Sequence, residues 1–391
     1  MEILVLSNGK GEDALAVTLL KAIEEAFGKR KLPLPKFSAV PLVGDGEAYT
    51  RSGYPASGGG KNLPSHGFGG LRVISLLRDI KAGLIGMVIK EIDVLKKRSK
   101  TADLIICVGD LYPVILAAFF TDRPIIHLAT AISVSFQKYN ALEIALFKKR
   151  CKLVISRDSA TANFLVKRGV NAKFLGNIMM DDPTLVQKTV DFGISGEKKV
   201  LGLLPSSRGD SYSNIARMLK VISHIGNQGK FEYLLSLSPV LDIKKLEGHL
   251  SRLNYRFVPN PADPVEVARI YGKTNIYVRI ISGNFAGIIK RSTLVLGMTG
   301  TGNEQAAGLG TPLFLIEEGE SASRKRVRQY QRLLAGAMET GSGTDEKIAA
   351  QILALVNDPR RLSKMADAGR KIMGEPGASL RMAEEILQVI T

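Results

Sequence analysis

Short apolar runs alternate along the chain with longer stretches in which apolar residues recur every three or four positions, and the alternation continues nearly from end to end. Glu2–Leu6 reads as a strand and Gly11–Phe27 as a helix with acids in its first turn. Strands are expected again at 103–108, 124–128 and 152–156, with a helix from about 112 and another over 158–168. A second series starts at 199–204 and places strands at 231–236, 254–258, 275–279, 293–297 and 312–316. Four helical patterns follow, near 323–335, 344–356, 358–372 and 377–389. This alternation predicts α/β architecture with parallel sheets. One stretch breaks it: residues 30–70 are rich in Gly, Pro and Ser and read as a long loop, flexible over about 44–70.

At 391 residues the chain is too long for one core and suits two domains. The polar segment 178–198, with Asp181-Asp182-Pro183, is placed as the linker. It separates a domain over 1–180 from one over 199–372. Aromatic residues are only 6% and Trp is absent, which favours strands buried under helices over an aromatic-rich sandwich. The two cysteines, Cys107 and Cys151, are too few for a disulfide framework or a four-ligand zinc site. The four histidines form no pair at metal-ligand spacing. The start of the chain lacks a basic leader, and the most apolar run, 104–120, carries Asp110 and Pro113 and is shorter than a membrane span. A soluble cytoplasmic protein is the expectation.

Net charge changes that picture. The formal charge is +17, with 27 basic and 17 acidic residues in 1–190 and 27 against 20 in the rest. Such an excess suits an anionic surface. Between Leu71 and Lys100 there are eight basic residues against three acids, with Leu76, Leu77, Ile80, Leu84, Met87, Val88 and Ile92 at helical spacings. A helix there can lie on an anionic bilayer at the inner membrane face, or be an ordinary domain helix with its stripe in the core. Nucleic acid is not expected, because basic residues do not interleave with stacking aromatics.

Three elements carry candidate chemistry. Asn8-Gly9-Lys10-Gly11-Glu12-Asp13 is a glycine-containing turn between a strand and a helix. Glu12 and Asp13 stand where a pyrophosphate would need positive potential, so the turn suits sugar hydroxyls better than a dinucleotide. Thr299-Gly300-Thr301-Gly302-Asn303-Glu304-Gln305 follows the strand Leu294–Met298 and opens a helix, which suits phosphate, with Glu304 able to accept from a ribose diol. Ser207 and Arg208 follow the strand 199–204, where the guanidinium can neutralise a leaving diphosphate. Asp110 follows an apolar strand and is the first choice of catalytic base, with the helix-capping role beside it; His127, read as ending the strand 124–128, is the second.

The order of these motifs resembles lipid-A-disaccharide synthase, and more closely the group of lipid-A-disaccharide synthase-related proteins. Gly9, Gly11, Glu12 and Asp13 match the family's acidic glycine turn, Pro205, Ser207 and Arg208 its Pro-Gly-Ser-Arg element, and Thr299-Gly300-Thr301 with Glu304 its donor loop. Ser206 stands where glycine is usual. The linker motif is reduced to Gly176-Asn177-Ile178 and Asp181, and an acidic pair after the strand 103–108 to Asp110 alone. The resemblance implies a GT-B fold: two Rossmann-like domains facing a cleft, the first taking the acceptor and the second the nucleotide-sugar donor. It implies that the last helix, within 373–391, crosses back to the first domain.

It further implies a glycosyltransferase that moves a hexosyl group, of the N-acetylglucosamine type, from a UDP-sugar to a lipid or sugar-lipid acceptor in lipid A biosynthesis or a related glycolipid route. The sequence holds no Asp-x-Asp motif, so an inverting displacement without metal or other cofactor is expected. A UDP-sugar 2-epimerase on the same fold is the alternative enzyme, distinguished by turnover without acceptor. An oxidoreductase using Gly9–Ala14, and a non-catalytic basic protein that binds membranes, are the others.

Overall fold

The computed structural model describes residues 1–58, 84–186, 189–206, 210–226, 229–272, 276–298, 300–317 and 321–390. The chain divides into two units, Met1–Asp181 with Pro376–Thr391, and Asp182–Glu375. Each is built on its own sheet.

Unit 1 carries a six-stranded sheet in the order β2-β1-β3-β4-β5-β6. Its strands are β1 (Glu2–Ser7), β2 (Lys36–Pro41), β3 (Leu104–Gly109), β4 (Ile125–Ala129), β5 (Cys151–Ser156) and β6 (Ala172–Lys173), all pairing in parallel. Near-continuous Val, Ile and Leu in β1, β3, β4 and β5 fit a sheet covered on both faces. One face packs on α1 (Lys10–Lys29), α2 (Glu47–Arg51) and the C-terminal helix; Ala16, Leu20 and Ile23 meet Met382, Ile386 and Leu387. The other packs on α3 (Leu84–Arg98), α4 (Leu111–Phe120), α5 (Ala141–Arg150) and α6 (Ser159–Val166) through Leu95, Val114, Phe147 and Leu165.

The stretch read as a loop over 30–70 is partly regular. It holds β2 and α2, and Tyr49 and Tyr54 are buried. The pattern was obscured because β2 is short, lies between Pro35 and its own last residue Pro41, and pairs at the sheet edge, where proline's missing N–H is tolerated. Residues 59–83, which include the first part of the proposed membrane helix and His66, lie outside the described residues. In the described part of that helix Leu95 is buried and Ile92 packs on the core, whereas Ile89 is 55% exposed. Among the described residues no helix is long and apolar enough to cross a membrane.

Unit 2 has an eight-stranded sheet in the order β14-β13-β12-β7-β8-β11-β10-β9. The strands are β7 (Lys199–Leu204), β8 (Phe231–Leu237), β9 (Arg256–Pro259), β10 (Glu266–Tyr271), β11 (Tyr277–Ser282), β12 (Leu294–Gly297), β13 (Leu313–Ile316) and β14 (Met338–Gly341). Six strands run parallel, while β10 is antiparallel to both its neighbours. Neither β10 nor β14 is evident in the hydrophobic pattern: β10 alternates buried and exposed at the sheet's rim, and β14 is the four-residue run Met-Glu-Thr-Gly.

The C-terminal helix, Ala378–Ile390, belongs to unit 1 and lies against α1. Its first turn is held by Asp181, whose two carboxylate oxygens accept from the Gly377 and Ser379 amides at 2.6 Å each. This supplies, from a residue far back in the chain, the acceptors that orphan amides at a helix start require.

Candidate functional site

In open α/β sheets the ligand crevice opens where strand order reverses, at the carboxyl ends of the strands. In unit 1 that point lies between β1 and β3, and in unit 2 between β7 and β12. Among the described residues, the sequence-derived candidates other than His127 lie at these two edges.

At the unit 1 edge, Asn8 and Glu12 on the β1–α1 turn meet Asp110, which follows β3. The Asn8 side chain hydrogen-bonds the Asp110 carboxylate. Asp110 also accepts from the Tyr112 amide at 2.8 Å, capping α4. Gly109 has φ 126°, and a side chain there would strike Asn8 Oδ1, so only glycine brings the two turns this close. Burial raises the Glu12 carboxyl pKa, and the neighbouring Asp110 raises it further. Burial also raises Asp110, against its hydrogen bonds from Tyr112 and Asn8. Asn8 Oδ1 is buried with no hydrogen-bond partner among the described residues.

Gly9, Gly11 and Asp13 are on the same turn. Asp13 faces inward at 1% exposure and accepts from Ser7 Oγ at 2.6 Å, and Ser7 in turn meets the Tyr49 hydroxyl at 2.7 Å. Burial pushes the Asp13 carboxyl up to about 6. Its contacts are those of a clamp between β1, α1 and α2. His127 is not at a strand end: it is the central residue of β4 and 1% exposed. Its Nδ1 lies 3.1 Å from the Cys107 carbonyl, the Phe147 ring covers it at 5.5 Å, and burial pushes its pKa down to about 4. The structure therefore brings Asn8, Glu12 and Asp110 together and leaves His127 in the core.

The unit 2 edge holds a cavity of about 450 Å³. Leu204, Pro205 and Ser206 after β7 form one wall, and Gly300, Thr301, Gly302 and Gln305 form another. The last three belong to the helix Thr301–Gly308. Gly300, at the N-cap of that helix, offers no side chain to cap it, and the start of the helix lies on the cavity wall. The Asn214 side chain donates to the Pro205 carbonyl at 2.8 Å and fixes the first wall. The helix is seated deeply because its small residues admit a close neighbour: a side chain on Gly369 would strike the Ala307 carbonyl. Asn303 and Glu304 are 0% and 5% exposed and do not line the cavity. Ser207, Arg208 and Thr299 lie outside the described residues.

Sequence reasoning passed over the remaining walls, Ser236 and Ser238 at the end of β8 and Phe285 just after β11. Their signal is positional: each follows an apolar strand next to β7 or one strand beyond it. Phe285 adds a flat aromatic face beside the apolar Leu204, Pro205, Leu237 and Pro239. Ser206 has φ 93°, a conformation that glycine adopts without strain. At the unit 1 edge, Thr130, Ser156 and Asp158, which follow or end β4 and β5, were also missed; each has a buried oxygen with no partner among the described residues.

No family model matches the chain. It is 24% identical to a lipid-A-disaccharide synthase from Syntrophus aciditrophicus (strain SB) over 247 residues, 57% of this chain and 58% of that protein. The chain thus spans less than two thirds of the length of that relative. Among solved structures it is similar to a UDP-GlcNAc 2-epimerase from Neisseria meningitidis bound to UDP-GlcNAc, with TM-score 0.57 and 14% identity over 99% of this chain and 100% of that one. It is also similar to MurG from Acinetobacter baumannii, with TM-score 0.58 and 10% identity over 99% of each chain. The fold is of the GT-B type. The sheets of both units and their switch points are those expected of that fold class.

Proposed function

We propose that the chain is a glycosyltransferase that transfers a hexosyl group, of the N-acetylglucosamine type, from a UDP-sugar to a hydroxyl of a lipid or sugar-lipid acceptor. The observation that carries this reading is the cavity at the unit 2 switch point, bounded by Gly300 and the start of the helix Thr301–Gly308. The positive end of a helix suits a diphosphate, and the Phe285 face suits a nucleobase. The similarity to a lipid-A-disaccharide synthase supports the sugar-lipid acceptor, and the fold shared with enzymes named for UDP-GlcNAc supports the donor.

In the proposed reaction, the acceptor oxygen forms a bond to the anomeric carbon as the bond from that carbon to the diphosphate oxygen breaks. Asp110 takes the hydroxyl proton, and UDP leaves with the bonding pair. One displacement inverts the anomeric centre and uses no metal. Asp110 suits this role because a base works best with its pKa near the operating pH, and burial has already raised it. Asn8 Oδ1 can accept from an acceptor hydroxyl. Arg208, carried over from the resemblance, would stabilise the leaving diphosphate.

A thermal-shift panel of UDP, UDP-sugars, GDP, TDP and NAD tests the donor. UDP or a UDP-sugar should stabilise the protein by roughly 2.7 kcal/mol at a hundredfold excess over its Kd. A shift with NAD and none with any nucleotide sugar would overturn the reading. Conversion of a UDP-sugar to its 2-epimer without acceptor would replace transfer by epimerisation.

A further inference from the structure

The two edges of the unit 1 sheet differ in charge. Among the described residues the carboxyl edge bears Glu12, Asp13, Asp45, Asp110 and Asp158, with Lys10, Lys138 and Arg157 as its bases. The segments that enter β2 to β6 at the opposite edge (29–36, 96–103, 119–124, 148–152 and 166–173) hold sixteen Lys and Arg, and their acids are Asp103 and Asp122. Exposed apolar residues lie on the same edge: Phe119 is 72% exposed, Leu34 61%, Val166 52% and Leu32 37%.

Side-chain contacts knit the central part of this edge together. Arg123 donates to the Ser99 and Lys100 carbonyls, Arg150 to the Thr121 carbonyl, and Lys96 lies over the Phe120 ring at 5.4 Å. The ends of α3, α4 and α5 therefore converge around Phe119. Some cations are engaged within the unit: Lys29 with Glu25, Arg30 with Glu384 and Lys173 with Glu385. Basic last turns also offset the negative ends of α1, α3 and α5, which uses one or two residues per helix. Lys31, Lys97, Lys100, Lys149, Lys152 and Lys167 remain exposed beyond those uses, and helix electrostatics gives no reason for an exposed phenylalanine among them.

We propose that the amino edge of the unit 1 sheet is a docking surface for an anionic lipid bilayer. Strands about 4.8 Å apart spread the edge over roughly 24 Å, so its lysines can meet several headgroups while Phe119, Leu34 and Val166 enter the interfacial layer. A nucleic acid would match the lysines but would gain nothing from Leu34 or Val166, so the bilayer accounts for both halves of the pattern. Docking here stands apart from the transferase reading, because the acidic carboxyl edge lies at the other end of the same strands.

Sedimentation of the full chain with vesicles of phosphatidylcholine alone, and of phosphatidylcholine with phosphatidylglycerol, tests the surface. The protein should pellet with the anionic vesicles only, and less as salt rises. Replacing Lys97, Lys100 and Lys149 by Ala together should lower partition about a hundredfold, and Phe119→Ser roughly tenfold. Both variants should keep the wild-type melting temperature and the wild-type thermal shift with UDP, so loss of docking is read separately from loss of donor binding. Equal binding to both vesicle types, binding to neither, or wild-type partition in the triple variant would overturn the proposal. So would tighter retention on oligo-uridylate than on the anionic vesicles.

Discussion

The two switch points share a topology and differ in chemistry. At the β1–β3 edge of unit 1 the helix start is occupied by Glu12 and Asp13, and buried polar atoms crowd the turns. At the β7–β12 edge of unit 2 the helix start is reached through Gly300 and Thr301, and a cavity lies in front of it. A helix N-terminus carries about half a positive charge in either case. In unit 1 that potential is already used by the protein's own carboxylates, which makes the edge a poor anion site and, in the proposed reaction, the place of the acceptor hydroxyl and the base. In unit 2 the first-turn acid, Glu304, is buried and does not line the cavity, so in the same proposal the helix start faces the donor's phosphates. The proposed division of roles thus rests on a few residues in the first turn.

The largest expected effect tests the unit 1 half of this contrast. Asp110→Asn keeps the cap on α4, since asparagine caps a helix about as well as aspartate, but it cannot take a proton. Turnover of the donor–acceptor pair should fall by about 10²- to 10⁴-fold with a nearly unchanged melting temperature. Wild-type turnover would reduce Asp110 to a cap. The next effect tests the unit 2 half by giving it unit 1's chemistry. Thr301→Glu places an exposed carboxylate at the helix start on the cavity wall, where it should stabilise the helix by about 0.5 kcal/mol. The same charge should weaken UDP binding roughly tenfold by calorimetry. Unchanged affinity would mean that the diphosphate does not sit at this helix.

What could be read from the sequence follows the same division. Long, strongly periodic elements and buried parallel strands were legible, because burial on both faces leaves a continuous apolar run, as in Leu104–Val108 or Leu294–Gly297. Elements at or next to the sheet edges were not: β2 is bracketed by prolines, and half the residues of β10 and β14 are not buried. The site candidates Asn8, Glu12, Asp110, Gly300 and Gln305 were legible as turns that follow strands. His127 misled because a histidine near a strand end and one in its middle look alike without the register; β4 runs on to Ala129, which buries the ring. Phe285 and Ser236 were silent because the sequence does not say which strands neighbour β7.

A smaller effect sharpens the unit 1 side through pH. A carboxyl whose pKa is higher in the folded chain binds its proton more tightly there, so folding is favoured in acid. The stability tied to Asp13 is present below its unfolded pKa and falls as pH rises from about 4 to the folded value of about 6. Desolvation is the main cause, Glu12 and Asp45 add to it, and the Ser7 hydroxyl and Lys10 oppose it. Asp13→Asn keeps an acceptor for Ser7 and removes the titration. The stability of the variant relative to wild type should therefore increase between pH 4 and pH 7, by on the order of 2 kcal/mol. A difference that stays constant over that range in urea titrations would show that Asp13 is not held in its proton-binding state.

The smallest effect concerns the turn at the unit 2 cavity, where the sequence and the backbone disagree. Ser206 occupies the place that glycine holds in the resembled family, and its φ of 93° lies in the region where a Cβ is crowded. Its hydroxyl meets the Asp210 carboxylate at a long 3.5 Å. Ser206→Gly should relieve about 1–2 kcal/mol of backbone strain while the unfolded chain gains freedom worth about 0.5–1 kcal/mol. The net is a gain of about 0.5 kcal/mol, visible as a rise of one or two degrees in melting temperature. If strain at this turn instead holds the cavity open for the ligand, the same variant should melt higher yet bind UDP more weakly, which is how strained residues at binding sites behave. A lower melting temperature with unchanged UDP affinity would show that Ser206 is held by a favourable contact and that its backbone stores no strain.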